Sequence, residues 1–94
     1  EFLYSSAKQV GAFQCSNDLL NRIHTLILNA IKSNMQHVLT DCPHREKLGW
    51  LEQSHLMGEA VFYNFDAAPL YRKICRDMRD AQHENGCVPT LVTM

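Results

Sequence analysis

The 94 residues are enough for one small domain, and nine Lys and Arg against ten Asp and Glu leave a formal net charge of -1 with the five His neutral. That balance excludes a basic field for nucleic acid and a polybasic face for an anionic membrane. A hydrophobic share of 46% with 20% charged residues marks a folded chain, and no apolar run approaches the roughly 20 residues of a membrane-spanning helix.

In chain order, residues 1–14 are mixed, with Tyr4, Val10 and Phe13 as apolar points and Gly11 as a breaker. They predict an extended lead-in or a short strand. The opening Glu1-Phe2-Leu3-Tyr4 lacks an initiator Met, and the expectation is a piece of a longer protein. Ser16 predicts an N-cap, with Asp18 in the first turn favouring the helix dipole. Leu19, Leu20, Ile23, Leu26, Ile27, Ala30 and Ile31 then recur at three- and four-residue spacings. This is one stripe of an amphipathic helix reaching about Met35, with Asn21, Arg22, Thr25, Asn29 and Lys32 opposite.

Residues 39–49 break that periodicity. Pro43 disfavours helix at Cys42 and Gly49 is a second breaker, so the segment predicts a loop. It gathers Asp41, His44, Arg45, Glu46 and Lys47 and ends on the only tryptophan, Trp50. A second helix is expected from about 51 to 64, with Leu56, Met57, Ala60, Val61 and Phe65 inward. Phe62 and Tyr63 are expected to join the core. Asp66 can cap a third helix with Pro69 in its first turn and Leu70, Ile74, Cys75, Met78 and Ala81 as its stripe. Its charged face offers the i,i+4 attraction Arg76–Asp80, and Gly86 predicts a left-handed C-cap. His24 and His83 predict helix-surface positions. The fold class is therefore all-α, three amphipathic helices with short extended ends.

Cys15, Cys42, Cys75 and Cys87 stand too far apart for a CxxC metal or redox site and predict free, mostly buried thiols. His37, Cys42, His44 and His55 can be grouped on paper as metal ligands, but their spacing matches no zinc pattern. No cofactor is implied, and the compartment stays open.

Chemistry points to the loop. Two carboxylates, Asp41 and Glu46, flank Arg45 with Trp50 just beyond, the mixture an acid–base or sugar site needs. A solvated turn with a surface ion pair and a core Trp would also account for it. The order Thr40-Asp41-Cys42-Pro43-His44-Arg45-Glu46-Lys47-Leu48-Gly49-Trp50 resembles the signature of the bacterial α-L-rhamnosidases, glycoside hydrolase family 78. Phe13-Gln14-Cys15-Ser16-Asn17-Asp18-Leu19-Leu20-Asn21-Arg22 is similar to the start of that family's first barrel helix. Tyr71-Arg72-Lys73, Arg76-Asp77-Met78-Arg79-Asp80-Ala81-Gln82 and Val88-Pro89 resemble its third helix and the strand after it.

The resemblance implies that residues 1–94 form the first part of an (α/α)6 toroid in an inverting hydrolase of terminal α-L-rhamnosides. It implies Glu46 as general acid, and Asp41, Arg45 and Trp50 as sugar-binding residues, with Asp41 charged beside Arg45 and Glu46 desolvated near Trp50. The partners it implies are a rhamnose-containing glycoside and the remainder of the same catalytic domain. Two departures stand out. One acid, Glu46, separates Arg45 from Lys47 where many members have two, and Glu52-Gln53 replaces the common Gly-Asp. Gln53 sits where the family has a sugar-binding Asp, and Glu52 can take that role, although one helical step turns a side chain by about 100°. No residue here matches the family's catalytic base, so the isolated chain is expected to be inactive.

A noncatalytic helical module that binds a partner, or a pseudoenzyme fragment, is the competing reading. In a self-contained module the apolar stripes should close on one another. In part of a toroid they should stay uncovered, and Asp41, Glu46 and Trp50 should converge on one concavity.

Overall fold

The computed structural model describes residues 4–92. Four helices follow in order: α1 (Asp18–Asn34), α2 (Leu51–Leu56), α3 (Gly58–Asn64) and α4 (Ala68–Asp80). Among the described residues there is no strand; three isolated antiparallel bridges, Gln9–Phe65, Met35–Leu39 and Trp50–Leu91, hold the extended pieces. The lead-in and the Val88-Pro89 segment are thus extended without forming a strand. No helix is long and apolar enough to cross a membrane among these residues.

Asn17, not Ser16, caps α1, its side chain accepting from the Leu19 and Leu20 N–H groups. Either residue type can cap; the amide oxygen of Asn17 is the one that reaches the orphan donors of the first turn. The single second helix expected over 51–64 is two, parted at Met57. The physical reason lies across the groove. Tyr71 Oη donates to the Ser54 carbonyl at 2.8 Å, the acceptor that Gly58 N–H would use in an unbroken helix. Gly58 makes room for that phenol, since a Cβ there would lie 3.3 Å from Tyr71 Oη. Burial pushes the Tyr71 hydroxyl above its ordinary value of 10.0.

Ala67 rather than Asp66 occupies the N-cap of α4, with no side-chain hydrogen bond, and Pro69 lies in the first turn as expected. The helix stops at Asp80 with Ala81 as its C-cap. Gly86 does have a positive φ of 88°, but it serves a separate turn closed by its N–H to the His83 carbonyl. The i,i+4 ion pair along α4 is Lys73–Asp77 at 2.6 Å rather than Arg76–Asp80, and Asp80 pairs instead with its neighbour Arg79 at 3.2 Å.

One core joins the elements. Ile31 and Met35 from the end of α1, Leu39, Val61 and Phe65 from α3 and its end, Ala67, and Leu70 and Ile74 from α4 are all buried. The lead-in crosses beneath: Ser5 N–H donates to the Met35 carbonyl, and the Val10 and Gly11 N–H groups share the Asn64 carbonyl at the end of α3. A Cβ on Gly11 would run into the Tyr63 carbonyl, so only glycine allows that approach.

Much of the expected apolar stripe stays outside this core. Of the α1 positions only Ile31 is buried; Leu19, Leu20, Ile23, Leu26 and Ile27 are exposed, Leu26 at 67%. Leu56, Met57, Phe62 and Tyr63 are exposed against expectation, and so is Cys75. All four cysteines are free, but Cys15 and Cys42 are half-buried while Cys75 and Cys87 are exposed, so the thiols are not mostly buried. His24 is half-buried, its Nε2 paired with Asn64 Oδ1 at 3.0 Å, whereas His83 is exposed. These corrections have a common cause: helical period marks a face as apolar but does not say what covers it.

The dimensions agree. The principal extents are 54 × 24 × 21 Å, and the radius of gyration of 14.8 Å exceeds the about 12 Å of a closed domain of this length. The accessible surface is 7052 Å², against about 5,500 Å² for a closed monomer of this mass. The helices do not close on one another as a self-contained module would.

Candidate functional site

The loop between α1 and α2 begins on a fixed anchor. Thr40 N–H donates to the Asn34 carbonyl at 2.9 Å, and Thr40 Oγ1 donates to Asn34 Oδ1 at 3.0 Å. Asp41 then closes the loop on itself. Its N–H donates to the Leu48 carbonyl at 3.1 Å, and its Oδ1 accepts from Cys42 N–H at 2.8 Å and Leu48 N–H at 3.1 Å. Residues 43–46 form the turn, and Glu46 N–H donates to Cys42 Sγ at 3.3 Å. Lys47 completes the reversal with φ 57°, a left-handed conformation that costs a side-chain-bearing residue about 1 kcal/mol or more.

Burial works to raise the Asp41 pKa. The Leu48 N–H, the Glu46 side chain and the Cys42 N–H oppose it by hydrogen-bonding the carboxylate, and the net result lies below the ordinary 3.8. The charge of Asp41 therefore rests on main-chain donors rather than on Arg45. Arg45 is exposed on the turn and, among the described residues, makes no ion pair.

Beyond the loop, Gly49 is buried and Trp50 half-buried. The α2 N-terminus has no side-chain cap; instead Leu51 N–H donates to the Thr90 carbonyl at 3.0 Å, tying the C-terminal segment beside the loop. The result is an open cleft of ≈ 620 Å³ lined by Asp41, Trp50, Glu52 and Gln53 on one side and Val88, Pro89 and Thr90 on the other. A second, more apolar cavity of ≈ 290 Å³, lined by Ile27, Leu39 and Val61, shares Asp41 and Gln53 with the first.

Of the residues singled out from sequence, Asp41, Trp50 and Glu52 meet in one cleft. Glu46 stays exposed on the turn and does not line the cleft, so it is not buried beside Trp50 in this chain. Arg45 does not line the cleft either. Glu52 and its neighbour Gln53 both reach it, because they occupy the first turn of α2 at the rim. The wall from Val88 to Thr90 was not evident in the sequence; its placement depends on a main-chain bond to Leu51 that no residue type announces. Among the described residues no three His, Cys, Asp or Glu side chains gather as a metal site requires.

Four helices thus hold a cleft in which a carboxylate, Asp41, and the tryptophan, Trp50, share the lining. The family model that matches is the bacterial alpha-L-rhamnosidase six-hairpin glycosidase domain, over residues 8–93, and the chain belongs to that family. An alpha-L-rhamnosidase of Formosa agariphila is 40% identical over 72 residues, 77% of this chain and 8% of that protein. Among solved structures, the alpha-L-rhamnosidase of Dictyoglumus thermophilum superposes with a TM-score of 0.90 at 39% identity, covering 95% of this chain and 10% of that one. The Streptomyces avermitilis alpha-L-rhamnosidase complexed with L-rhamnose gives a TM-score of 0.90 at 29% identity, covering 95% and 9%. The chain thus spans about a tenth of the length of the relatives it matches.

Proposed function

We propose that this chain supplies the general-acid loop of an α-L-rhamnosidase, as the first part of an (α/α)6 toroid that hydrolyses terminal α-L-rhamnosides with inversion. Family membership supports the substrate class. The observation that carries the residue assignment is the loop itself: a turn closed by Asp41 that carries Glu46, with Asp41 also lining a cleft shared with Trp50 and Glu52.

In this reading Glu46 protonates the glycosidic oxygen as the bond to the anomeric carbon breaks. Asp41 and Glu52 accept hydrogen bonds from sugar hydroxyls, Trp50 covers the apolar side of the ring, and Arg45 reaches the sugar from the turn. An inverting enzyme holds its two working carboxyls roughly 6.5–9.5 Å apart, leaving space for the attacking water. No residue of this chain matches the family's catalytic base, so in this reading the base comes from the remainder of the catalytic domain and the isolated chain is inactive.

The test is Glu46→Gln in the full-length protein. Turnover of rhamnosides with poor leaving groups should fall by about 10²–10⁴, the usual contribution of a positioned acid, with much less loss for activated aryl rhamnosides. Near-unchanged turnover of the poor leaving groups would remove Glu46 from the role.

A further inference from the structure

The five consecutive residues Pro43, His44, Arg45, Glu46 and Lys47 are all exposed. Side-chain packing therefore does not hold the turn that carries Glu46. Its shape rests on a few hydrogen bonds, and most of them converge on one residue. Asp41 Oδ1 takes both the first N–H inside the loop, from Cys42 at 2.8 Å, and the last, from Leu48 at 3.1 Å. The Asp41 N–H to Leu48 carbonyl bond, at 3.1 Å, locks the same two ends. Within the ring so formed, Lys47 is kept at φ 57°, a conformation a free chain with a side chain at that position seldom adopts. The bond from Glu46 N–H ends on Cys42 Sγ, in the residue whose own N–H Asp41 holds.

We propose that Asp41 is a positioning residue for the acid: its Oδ1 clasps both ends of loop 42–48 and so sets where Glu46 delivers its proton. This rests on the reading of Glu46 as general acid. One carboxylate oxygen is committed to the main chain, and the other remains for a sugar hydroxyl or Glu46. Two functions of Asp41 can therefore be separated by substitution. Asp41→Asn keeps an Oδ1 acceptor of the same reach and removes the charge. Asp41→Glu keeps the charge and carries the acceptor one methylene beyond the Cys42 N–H.

The experiment measures kcat and KM of the full-length protein on a series of aryl α-L-rhamnosides of increasing leaving-group pKa. Loss of proton delivery steepens the dependence of kcat/KM on leaving-group pKa, a signature that neither weaker sugar binding nor partial unfolding produces. Glu46→Gln provides the steep reference. Asp41→Glu should be nearly as steep, with poor leaving groups slowed by about 10²-fold or more. Asp41→Asn should raise KM and keep the shallow wild-type slope. Thermal unfolding of each variant establishes that it is folded, and Asp41→Ala, which removes the acceptor without adding bulk, takes the place of Asp41→Glu if that variant is not. A shallow slope for the clasp-breaking variant, or equal steepening in Asp41→Asn, overturns the positioning role while leaving Glu46 in place. A shallow slope for Glu46→Gln itself overturns the underlying reading instead.

Discussion

Loop 40–50 and the outer face of α1 handle exposure in opposite ways. The loop is mostly solvated, yet its conformation is determined locally, by Asp41 at its neck and Thr40 on Asn34. The α1 face is a regular helix whose backbone is satisfied, yet Leu19, Leu20, Ile23, Leu26 and Ile27 lie open. Hydrogen bonds are directional and short, so a few residues can complete them; apolar burial is an area effect and needs a second surface. In this chain the chemically interesting part is self-sufficient in shape, and the scaffold is the part that calls for a partner. In the proposed toroid that partner is the next hairpin.

The contrast is broken most strongly by truncating the open face in two contexts. In the 94-residue chain, Leu19→Ala and Leu26→Ala should each change stability by no more than about 0.5 kcal/mol, as exposed substitutions do. In the full-length protein the same changes should cost about 2–5 kcal/mol each, the range for Leu in a packed core. Denaturant titration of both forms decides it, and equal small effects would mean that the face stays open. Dye binding to exposed apolar surface should likewise be strong in the short chain and weak in the long one.

Gly11→Ala tests the opposite kind of order, a backbone approach with no tolerance. Its Cβ meets the Tyr63 carbonyl, so the lead-in must lift from the end of α3. A loss of about 1–3 kcal/mol is expected, together with faster amide exchange at Val10, whose N–H is held by Asn64.

Smaller effects sharpen the loop side. Lys47→Gly relieves the φ 57° position and should change stability by about 1 kcal/mol or less, the relief being offset by glycine's greater freedom in the unfolded chain. Lys47→Val should be worse than either, because a β-branched residue resists that region. Acidification gives the last test. The folded pKa of Asp41 lies below its unfolded 3.8, so its contribution to stability is present above that pH and is lost as pH falls through the folded value. The fluorescence of Trp50, the only tryptophan, should show an acid-induced change in that range that Asp41→Asn lacks.

What was legible in the sequence follows from how far each signal reaches. The three- and four-residue spacing in residues 19–31 marked α1 because helical periodicity is a property of neighbours along the chain. Pro43 and Gly49 marked the loop for the same reason, and the ordered string from Asp41 to Trp50 carried the family resemblance. The break at Met57 was not legible, because it depends on a hydroxyl arriving from Tyr71, seventeen positions beyond the Ser54 carbonyl it takes. Nor was the division of the apolar residues into covered and open ones, such as Phe65 against Leu26.

The sequence alone determined that the chain is helical, where its loop lies and which carboxylates that loop carries, since these are set by local propensity, spacing and residue identity. Tertiary structure alone decided that Tyr71 takes the Ser54 carbonyl and parts α2 from α3, and that Val88, Pro89 and Thr90 wall the cleft of Asp41 and Trp50. Each of those outcomes joins groups separated along the chain through bonds of fixed direction and length. A pattern read along one dimension does not contain the meeting of two main-chain atoms in three.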